Sequence, residues 1–573
     1  MRILLLLLAS IFLATPGFSQ TTSPTLDVSP GEASRWADET LERLSLERKV
    51  GQMICAQMRG DYVAADSEQF KYWSRLARDY GVGGFVVYGG SPHDTAELLN
   101  RLQKEAELPL LISADFEGGP GQQFRGAAEF PANMALAAAG SADLAYEVGK
   151  VGALEGRAIG IHLTYSPVVD VQTRPDNPVL SVRSFGGDVD LLGRMASAYI
   201  RGYQDNGMLA TAKHYPGRGD VDLLPESEYL INRKPSLRVE SEDLLAFKKA
   251  IDAGVTFIMS EHIEVPSITD GSNLPASANR TLATYWLRER LGFEGVLTTD
   301  DLWYPKVIAR FGAERAGVLA ILAGHDVLLK PADAVKMIET VVTAVEAGEI
   351  PLEYIDASVR RLLYWKARLN LHRERFVDVN RISSIVGTQK HLELVNELAE
   401  RSLTVITDHG VFPTTTTKLG RIAHISMQKR EHDSAPREVS AKLAAALPVQ
   451  KSFFIRPNVD AVTYEEALRA AKAADTVIVS LFLQRNVYRD NGTFSERDLA
   501  WIREVIRASE TTIVMSYGNP YLVDRLQGAA AFVVGYGEGG FYGNQLVYAD
   551  AFIRLLKGEI DASGKLPVQT SSK

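Results

Sequence analysis

The chain has 573 residues, of which 46% are hydrophobic and 23% are charged, and its formal net charge is −9 at a sequence pI of about 5.7. This composition is typical of a globular protein with room for two or three domains. The acidic balance argues against nucleic acid and anionic membrane surfaces as partners, because both are negatively charged. A single cysteine, Cys55, excludes an internal disulfide.

The first residues, MRILLLLLASIFLATPGFSQ, have the pattern of a secretory signal: one Arg, an apolar run from residue 3 to about residue 14, then small and polar residues. The apolar run is too short to cross a bilayer comfortably. We therefore expect residues 1–20 to be a signal peptide cleaved near Ser19 or Gln20, the alternative being an uncleaved anchor. The expected location is periplasmic or secreted, with no stable membrane insertion after cleavage.

Short apolar runs alternate with amphipathic stretches over residues 33–375. The runs read VGQMICAQ, GGFVVYG, PLLISADFEGG, HLTYSPVVDV, LATAKHYPG, TFIMSEHI, GVLTTDDL and DVLLKP. The stretches between them, such as SEDLLAFKKAIDAG at residues 241–254, have helical periodicity. Eight strand–helix units with continuous apolar strands predict an α/β fold, a (β/α)8 TIM-type barrel.

A helical connector is expected over residues 376–400, followed by a second alternating set of strands and helices over residues 401–570. Its apolar runs read SLTVITD, RIAHISM, ADTVIVSLFL, TTIVMSYGNPYLV and AAFVVGYG. They predict a smaller, doubly wound α/β sandwich domain. No dinucleotide fingerprint follows the first of these strands, so neither NAD nor FAD is expected.

Polar residues stand at the C-terminal ends of five predicted barrel strands: Asp115 and Glu117, Asp170, Lys213 and His214, Glu261 and His262, and Asp300 and Asp301. Active sites of such barrels lie at this face, so we expect these side chains to meet there. A carboxylate such as Asp300 could serve as a nucleophile towards a sugar, as a metal ligand or as a helix cap. The histidines lack HxxxH and HxH spacing, so a dedicated metal site is not expected.

Arg183 lies on a loop, in NPVLSVRSFGGD, and joins Asp115, Lys213 and His214 as a fourth charged or polar residue at the predicted mouth. Such a set could hold a polyhydroxylated sugar by charge-assisted hydrogen bonds. The alternative is an ion-pair network that stiffens the rim.

An ordered series of motifs resembles glycoside hydrolase family 3, and within it the bacterial exo-β-N-acetylglucosaminidases. The motifs are ADFEGG, FPANMALAA, NPVLSVRSFG, KHYPGRGD, LPASANRTL, LRERLGFEGVLTTDDL and AGHDVLLKP in the first domain, and SYGNPYLV and SGKLPV in the second. The resemblance covers residues 45–568. It implies a retaining exo-β-glycosidase without a cofactor, which removes terminal N-acetylglucosamine from peptidoglycan or chitin fragments.

The resemblance also implies roles for individual residues. Asp300 matches the nucleophile that forms a covalent glycosyl-enzyme. Arg125 matches a further sugar-binding arginine, although its segment GGPGQQFR is longer than the family pattern. Four residues match those that bind the terminal sugar: Asp115, Arg183, Lys213 and His214.

The usual proton shuttle of these hexosaminidases, an Asp-Ser-His loop after KHFPGHG, is missing here. The matching loop reads LLPESEYL, with Glu226 and Glu228 at the expected positions and Arg218 in place of the second His. Three interpretations stay open. Glu226 or Glu228 is the acid/base; or Asp490 or Glu496 reaches across from the second domain; or the chain is a catalytically silent glycan-binding homologue or uses a non-water acceptor such as phosphate. A β-glucosidase or β-xylosidase of the same family is the alternative activity.

Overall fold

A computed structural model describes residues 28–175, 177, 179–221, 230–429, 434–483, 493–537 and 545–571. Within these ranges the chain forms two sheets of six or more strands, each packed against helices, and a small two-stranded ribbon. No helix in the described part of the chain has both the length and the apolar composition needed to cross a membrane.

The first sheet consists of eight parallel strands that neighbour one another in chain order. They are β1 (Ile54–Arg59), β2 (Gly84–Tyr88), β3 (Leu111–Ala114), β4 (Leu163–Thr164), β5 (Leu209–Tyr215), β6 (Phe257–Ser260), β7 (Val296–Thr299) and β8 (Leu328–Leu329). β8 pairs with β1, and a bridge between Thr298 and Val327 joins β7 to the approach to β8. The ring is thereby closed, which confirms the predicted (β/α)8 barrel.

Helices surround the barrel, and many begin at a serine whose hydroxyl accepts a backbone N–H, as Ser45, Ser67 and Ser91 do. The helices are Pro30–Leu41, Leu46–Gln52, Glu68–Arg78, Pro92–Glu105, Asn133–Ala139, Ala142–Ile159, Val189–Gln204, Ser236–Arg238, Leu245–Asp252, Pro305–Phe311, Ala313–Ala323, Ala334–Glu346 and Leu352–Arg368, with π-helical segments at Val239–Leu244 and Thr281–Arg290. The small ribbon pairs Leu230–Ile231 with Ile263–Glu264.

The first barrel strand begins later than the apolar run VGQMICAQ predicts. Val50 and Gln52 lie in the helix Leu46–Gln52, and β1 starts only at Ile54. The helix is capped by Ser45, and its last residues are buried. They form one continuous run of buried residues with the strand that follows. An apolar run alone does not mark this boundary, because both elements are buried.

The second sheet has six strands in the order β9-β14-β13-β12-β10-β11, and only β9 runs antiparallel to its neighbour. The strands are β9 (Thr404–Asp408), β10 (Ile422–Gln428), β11 (Val449–Ile455), β12 (Thr476–Phe482), β13 (Thr512–Ser516) and β14 (Ala531–Val534). Sequence analysis missed β11, an edge strand whose first residues are half-buried or exposed and which therefore lacks a continuous apolar run.

Helices also pack against this second sheet and link it to the barrel. Their bounds are Ile382–Ile385, Gln389–Ser402, Thr416–Leu419, Ala435–Ala446, Ala461–Ala473, Glu496–Ala508, Leu522–Arg525 and Gln545–Lys557. The first two belong to the segment between the sheets, where a helical connector was expected.

The second domain contacts the barrel at the loops that follow β3 and β4. The N–H of Ala132 donates to the carbonyl oxygen of Tyr536 at 3.0 Å, and the N–H of Gly187 donates to that of Pro567 at 3.1 Å. These contacts join the second domain to the two loops at the C-terminal ends of the barrel strands.

The carboxylate of Asp326 links strand β7 of the barrel to the surrounding helices. It is fully buried and accepts the N–H of Leu297 at 2.8 Å, the Ser358 hydroxyl at 2.8 Å, and the guanidinium groups of Arg288 and Arg361, each at 2.8 Å. Removal of one member of a buried, hydrogen-bonded ion pair leaves the other charge unpaired, which lowers the free energy of unfolding.

We therefore expect Asp326→Ala to lower the free energy of unfolding by about 3–5 kcal/mol. Urea denaturation followed by circular dichroism measures the change. Asp333→Ala is the matched control, because Asp333 caps the next helix and makes only an exposed, 3.9 Å ion pair with Lys336, so its loss should cost about 1 kcal/mol. Equal losses in the two variants would contradict the structural role of Asp326.

Candidate active site

The polar residues predicted at the strand ends meet at the C-terminal mouth of the barrel. They form two charge clusters, one around Glu117 and the other around Asp300, and His214 lies between them. Its Nε2 atom is 3.5 Å from a guanidinium nitrogen of Arg183 in the first cluster, and one of its ring nitrogens is within 4.8 Å of carboxyl oxygens of Glu261 and Asp300 in the second.

Glu117 is the centre of the first cluster. Arg183 donates two hydrogen bonds to its carboxylate, at 2.6 Å and 2.5 Å, and the Lys213 ammonium lies 2.7 Å from it. Lys213 also donates to Asp115 at 2.8 Å. Burial opposes a charged Lys213, but the carboxylates of Asp115 and Glu117 outweigh burial, so the pKa of this lysine is raised. The cluster therefore presents fixed charged donors and acceptors, which suit recognition of hydroxyl groups.

His214 is oriented by the buried carboxylate of Asp170. The Nδ1 atom of His214 is 2.7 Å from Asp170 Oδ2, while Oδ1 accepts the backbone N–H groups of His214 at 3.2 Å and Arg218 at 2.7 Å. Burial raises the pKa of Asp170 to about 6, and the Arg218 N–H and guanidinium partly oppose this. With Asp170 ionised above that pH, Nδ1 carries the donated proton and Nε2 is turned towards the mouth.

Asp300 follows β7, and its own N–H donates to the carbonyl oxygen of Ser260 at 2.8 Å. Its carboxylate accepts the N–H of Asp301 at 2.7 Å, and one of its oxygens lies within 4.8 Å of a carboxyl oxygen of Glu261. Burial alone would raise the pKa of Asp300, but the charge of Arg218, the neighbouring Glu261 carboxyl and the Asp301 N–H outweigh burial and lower it. Asp300 is therefore ionised at neutral pH, which is the state that a carboxylate nucleophile requires.

Glu261 follows β6 and lies between Asp300 and Arg218. Arg218 contacts its Oε2 atom at 2.7 Å. Burial raises the pKa of Glu261 to about 8; Arg218 opposes this shift, and the charge of Asp300 adds to it. His214, Glu261 and Asp300 could in principle ligate a divalent cation, but Arg218 already supplies the positive charge at this place. The arrangement fits an arginine-compensated carboxyl pair better than a metal centre.

Arg218 reaches this position because its segment passes very close to the exit of β4. A Cβ atom on Gly219 would lie 1.6 Å from the carbonyl oxygen of Val171, so only glycine is accommodated there. The motif KHYPGRGD thus uses its last glycine for a close backbone approach, and Arg218 is carried into the mouth.

Asp301 has a different role from its neighbour. Its carboxylate pairs with Lys330 at 2.7 Å and accepts the indole N–H of Trp303 at 3.1 Å. The helix that follows, Pro305–Phe311, has Tyr304 at its N-cap position, and no side chain caps its N-terminus. Neither acid of the pair therefore caps that helix, and the capping interpretation is wrong.

The structure places Arg125 apart from the two clusters. Its side chain is exposed and its backbone N–H donates to the carbonyl oxygen of Gly90 at 3.3 Å. Among the residues that the structure describes, no hydrogen bond or ion pair joins its guanidinium to the clusters. A role in sugar binding stays a prediction for this residue.

The candidate acid/base residues are described only in part. Glu226, Glu228 and Asp490 lie outside the described residues. Glu496 is the first residue of the helix Glu496–Ala508 and pairs with Arg525 of its own domain. Within the part of the chain that the structure describes, no hydrogen bond or ion pair joins Glu496 to the barrel mouth, and its role as the acid stays a prediction.

Sequence analysis noted Glu117, Asp170 and Glu261 at strand ends without assigning them a role. The structure shows that they are the partners of Arg183, His214 and Asp300. Their position directly after apolar strands was the available signal, since strand ends of one barrel converge. The sequence did not indicate which acid pairs with which base, because the partners come from different strands.

We expect Glu117→Gln to lower kcat/KM by roughly 10- to 100-fold, about 1.4–2.8 kcal/mol, mainly through a higher KM. The change leaves Arg183 and Lys213 without the carboxylate that fixes them. Steady-state kinetics on an aryl glycoside measures it. Glu147→Gln, which removes an exposed partner of Lys150, is the matched control and should leave the kinetics unchanged. An unaltered KM in Glu117→Gln would show that the cluster does not bind substrate.

The profile of the glycosyl hydrolase family 3 N-terminal domain matches residues 45–364. A β-N-acetylglucosaminidase/β-glucosidase of Cellulomonas fimi is 28% identical over 557 residues, which are 93% of this chain and 95% of that protein. A β-hexosaminidase of Tolumonas auensis is 34% identical over 261 residues, 44% of this chain and 77% of that protein.

Solved structures of the same architecture cover nearly the whole chain. A glycoside hydrolase family 3 β-N-acetylglucosaminidase from Paenibacillus sp. superimposes with a TM-score of 0.79 at 29% identity, over 92% of this chain and 99% of that one. A β-glucoside phosphorylase superimposes with a TM-score of 0.82 over 96% of this chain and 98% of that one, and its 24% identity makes it a likeness of fold alone.

Proposed function

Since the chain belongs to glycosyl hydrolase family 3 and is a glycoside hydrolase, we propose that it is a retaining exo-β-glycosidase for terminal β-linked N-acetylglucosamine. Its substrates in this proposal are glycan or peptidoglycan fragments. The observation that carries the proposal is the half-buried, ionised Asp300 at the end of β7, beside the oriented His214 and the Arg183–Glu117–Lys213 cluster. A nucleophile and a sugar-binding set thus share one barrel mouth.

In the proposed mechanism, Asp300 attacks the anomeric carbon and forms a glycosyl ester while the glycosidic bond breaks. A general acid transfers its proton to the departing oxygen, so that the aglycone leaves as an alcohol. The same group, now a base, takes a proton from water, whose oxygen attacks the anomeric carbon and frees Asp300. Two inversions at that carbon give overall retention of configuration.

Two observations support N-acetylglucosamine as the preferred sugar. The segment from Lys213 to Gly219 resembles the hexosaminidase branch, and the relatives include a β-hexosaminidase and a β-N-acetylglucosaminidase. The Cellulomonas fimi relative is named for β-glucosidase activity as well, so glucosides are the main competing substrates. Parallel assays on p-nitrophenyl N-acetylglucosaminide, glucoside and xyloside decide between them by their kcat/KM values.

Covalent labelling tests the mechanism independently of turnover. The purified protein is exposed to 2-fluoro and 5-fluoro glycosyl fluorides of glucose-like and N-acetylglucosamine-like sugars, and its intact mass is measured. We expect an adduct that peptide mapping places on Asp300. Sugar binding by calorimetry without any adduct, while a control hexosaminidase is labelled, would instead favour a catalytically silent glycan-binding protein.

Export is part of the proposal and rests on the apolar run and the small residues that follow it in the first 20 residues. The test is the N-terminal sequence and mass of the protein recovered from the periplasmic and extracellular fractions of expressing cells. A mature N-terminus near Ser19 or Gln20 is the expected result. Recovery of the intact chain in the membrane fraction would indicate an uncleaved anchor.

We expect Asp300→Asn to lower kcat by roughly 1000-fold or more, because an amide is not a nucleophile towards the anomeric carbon. The fold should be kept, since the two side chains are nearly isosteric. Hydrolysis of an aryl glycoside and the thermal unfolding midpoint are the two measurements. Near-normal turnover in a folded variant would contradict the assignment of Asp300 as the nucleophile.

Substitution of Glu226 or Glu228 by Gln tests the loop acids. If one of them is the acid/base, its loss should reduce kcat/KM about 100-fold or more on disaccharides and much less on p-nitrophenyl glycosides, because an activated leaving group needs little protonation. Glu240→Gln, an exposed acid nearby in sequence, is the matched control. Equal losses on both substrate types would point to binding or folding instead of proton transfer.

A further inference from the structure

We propose that Glu261 is a positioning residue for the nucleophile: it carries a proton in the free enzyme, donates it in a hydrogen bond to ionised Asp300, and thereby sets the alkaline limit of activity. The inference rests on the proposed role of Asp300 as the nucleophile. Neither the family resemblance nor the sequence analysis assigns a role to Glu261.

The contact between the two carboxyl groups is built into the barrel. Glu261 is 3% exposed and follows β6, and Asp300 follows the adjacent strand β7. The Asp300 N–H donates to the Ser260 carbonyl oxygen at 2.8 Å, which holds the two strand ends together. Carboxyl oxygens of Glu261 and Asp300 lie within 4.8 Å of each other. Two ionised carboxylates offer only acceptors, so a hydrogen bond between them requires a proton on one of them.

The surroundings place that proton on Glu261. Asp300 accepts the N–H of Asp301 at 2.7 Å, which stabilises its ionised form, and its pKa is lowered. Burial, together with the charge of Asp300, raises the pKa of Glu261 to about 8. Like charges in contact in a buried site do not ionise together without a large cost, so the pair holds one proton at neutral pH.

The other groups around the pair leave its charge balanced. Arg218 approaches from the loop after β5 and contacts Glu261 at 2.7 Å. Burial lowers the pKa of His262 and raises that of Tyr304, so both are neutral near pH 7. His214 is hydrogen-bonded to Asp170, and the carboxylate of Asp301 is paired with Lys330 at 2.7 Å. One negative charge on the pair therefore meets one positive charge on Arg218, and loss of the shared proton would leave an uncompensated charge.

The role has a definite consequence for the reaction. Below about pH 8 Glu261 stays protonated and orients the Asp300 carboxylate that attacks the anomeric carbon. Above that pH Glu261 loses its proton to solvent, the hydrogen bond is lost, and the two carboxylates repel each other. In this proposal the proton of Glu261 is not transferred to the substrate; it only orients Asp300.

The test is the pH dependence of kcat/KM on an activated aryl glycoside. In the wild-type enzyme we expect kcat/KM to fall about tenfold per pH unit above pH 8. In Glu261→Gln the amide N–H keeps donating to Asp300 and does not titrate, so this decline should vanish while kcat/KM at pH 7 stays within about tenfold of wild type. A decline in Glu261→Gln with an unchanged midpoint would overturn the proposal.

Glu129→Gln is the matched control, because burial raises the pKa of Glu129 to about 8 as well. Glu129 lies in the loop after β3, and its substitution should leave the alkaline decline where it is in the wild-type enzyme. If the decline disappears in Glu129→Gln and persists in Glu261→Gln, the titrating group is Glu129 and the proposal fails.

Infrared difference spectroscopy between pH 7 and pH 9 provides a readout that does not need turnover. The wild-type protein should lose a protonated-carboxyl band, and Glu261→Gln should lack the corresponding part of that band. In Asp300→Asn the neighbouring charge is gone, so the band of Glu261 should titrate at lower pH. Spectra of wild type and Glu261→Gln without any difference would overturn the proposal even if Asp300 proves to be the nucleophile.

Discussion

The mouth of this barrel depends on one constraint: every charge buried there must be compensated by a charge or hydrogen bond from a neighbouring strand. Glu117 is held by Arg183 and Lys213, and Glu261 by Arg218. An unpaired buried charge destabilises the fold strongly, so these contacts hold the charged side chains in fixed positions. The site is consequently rigid and polar before any substrate enters, a condition that favours selective binding of a charged transition state.

The architecture supplies that compensation from several directions. Neighbouring parallel strands end at the same face, so acids and bases from different parts of the chain arrive within hydrogen-bonding distance. The second domain adds support from outside, since it bonds to the loops after β3 and β4 near Ala132 and Gly187. These loops carry Glu117 and Arg183, which links the placement of the Glu117 cluster to the contacts with the second domain.

One departure of this chain from the hexosaminidase pattern lies in the charged cluster around Asp300. Where that pattern has a second histidine, this chain has Arg218, and Arg218 pairs with Glu261 beside the proposed nucleophile. An arginine stays charged throughout the accessible pH range, so it stabilises carboxylates but does not shuttle protons. In our proposal, the pair of Glu261 and Asp300 holds one proton at neutral pH, and Arg218 balances its remaining charge.

The sequence by itself determined the two α/β domains and most of the residues at the mouth, because strand periodicity and the position of a residue after a strand are local properties. Only the tertiary structure decided which side chains are partners, as in the contact of Glu261 with Asp300 or of Asp326 with two distant arginines. It also revealed β11, whose half-exposed edge position hides it from an apolar pattern. Burial and pairing arise between strands far apart in sequence, and these long-range contacts decide which acids hold a proton.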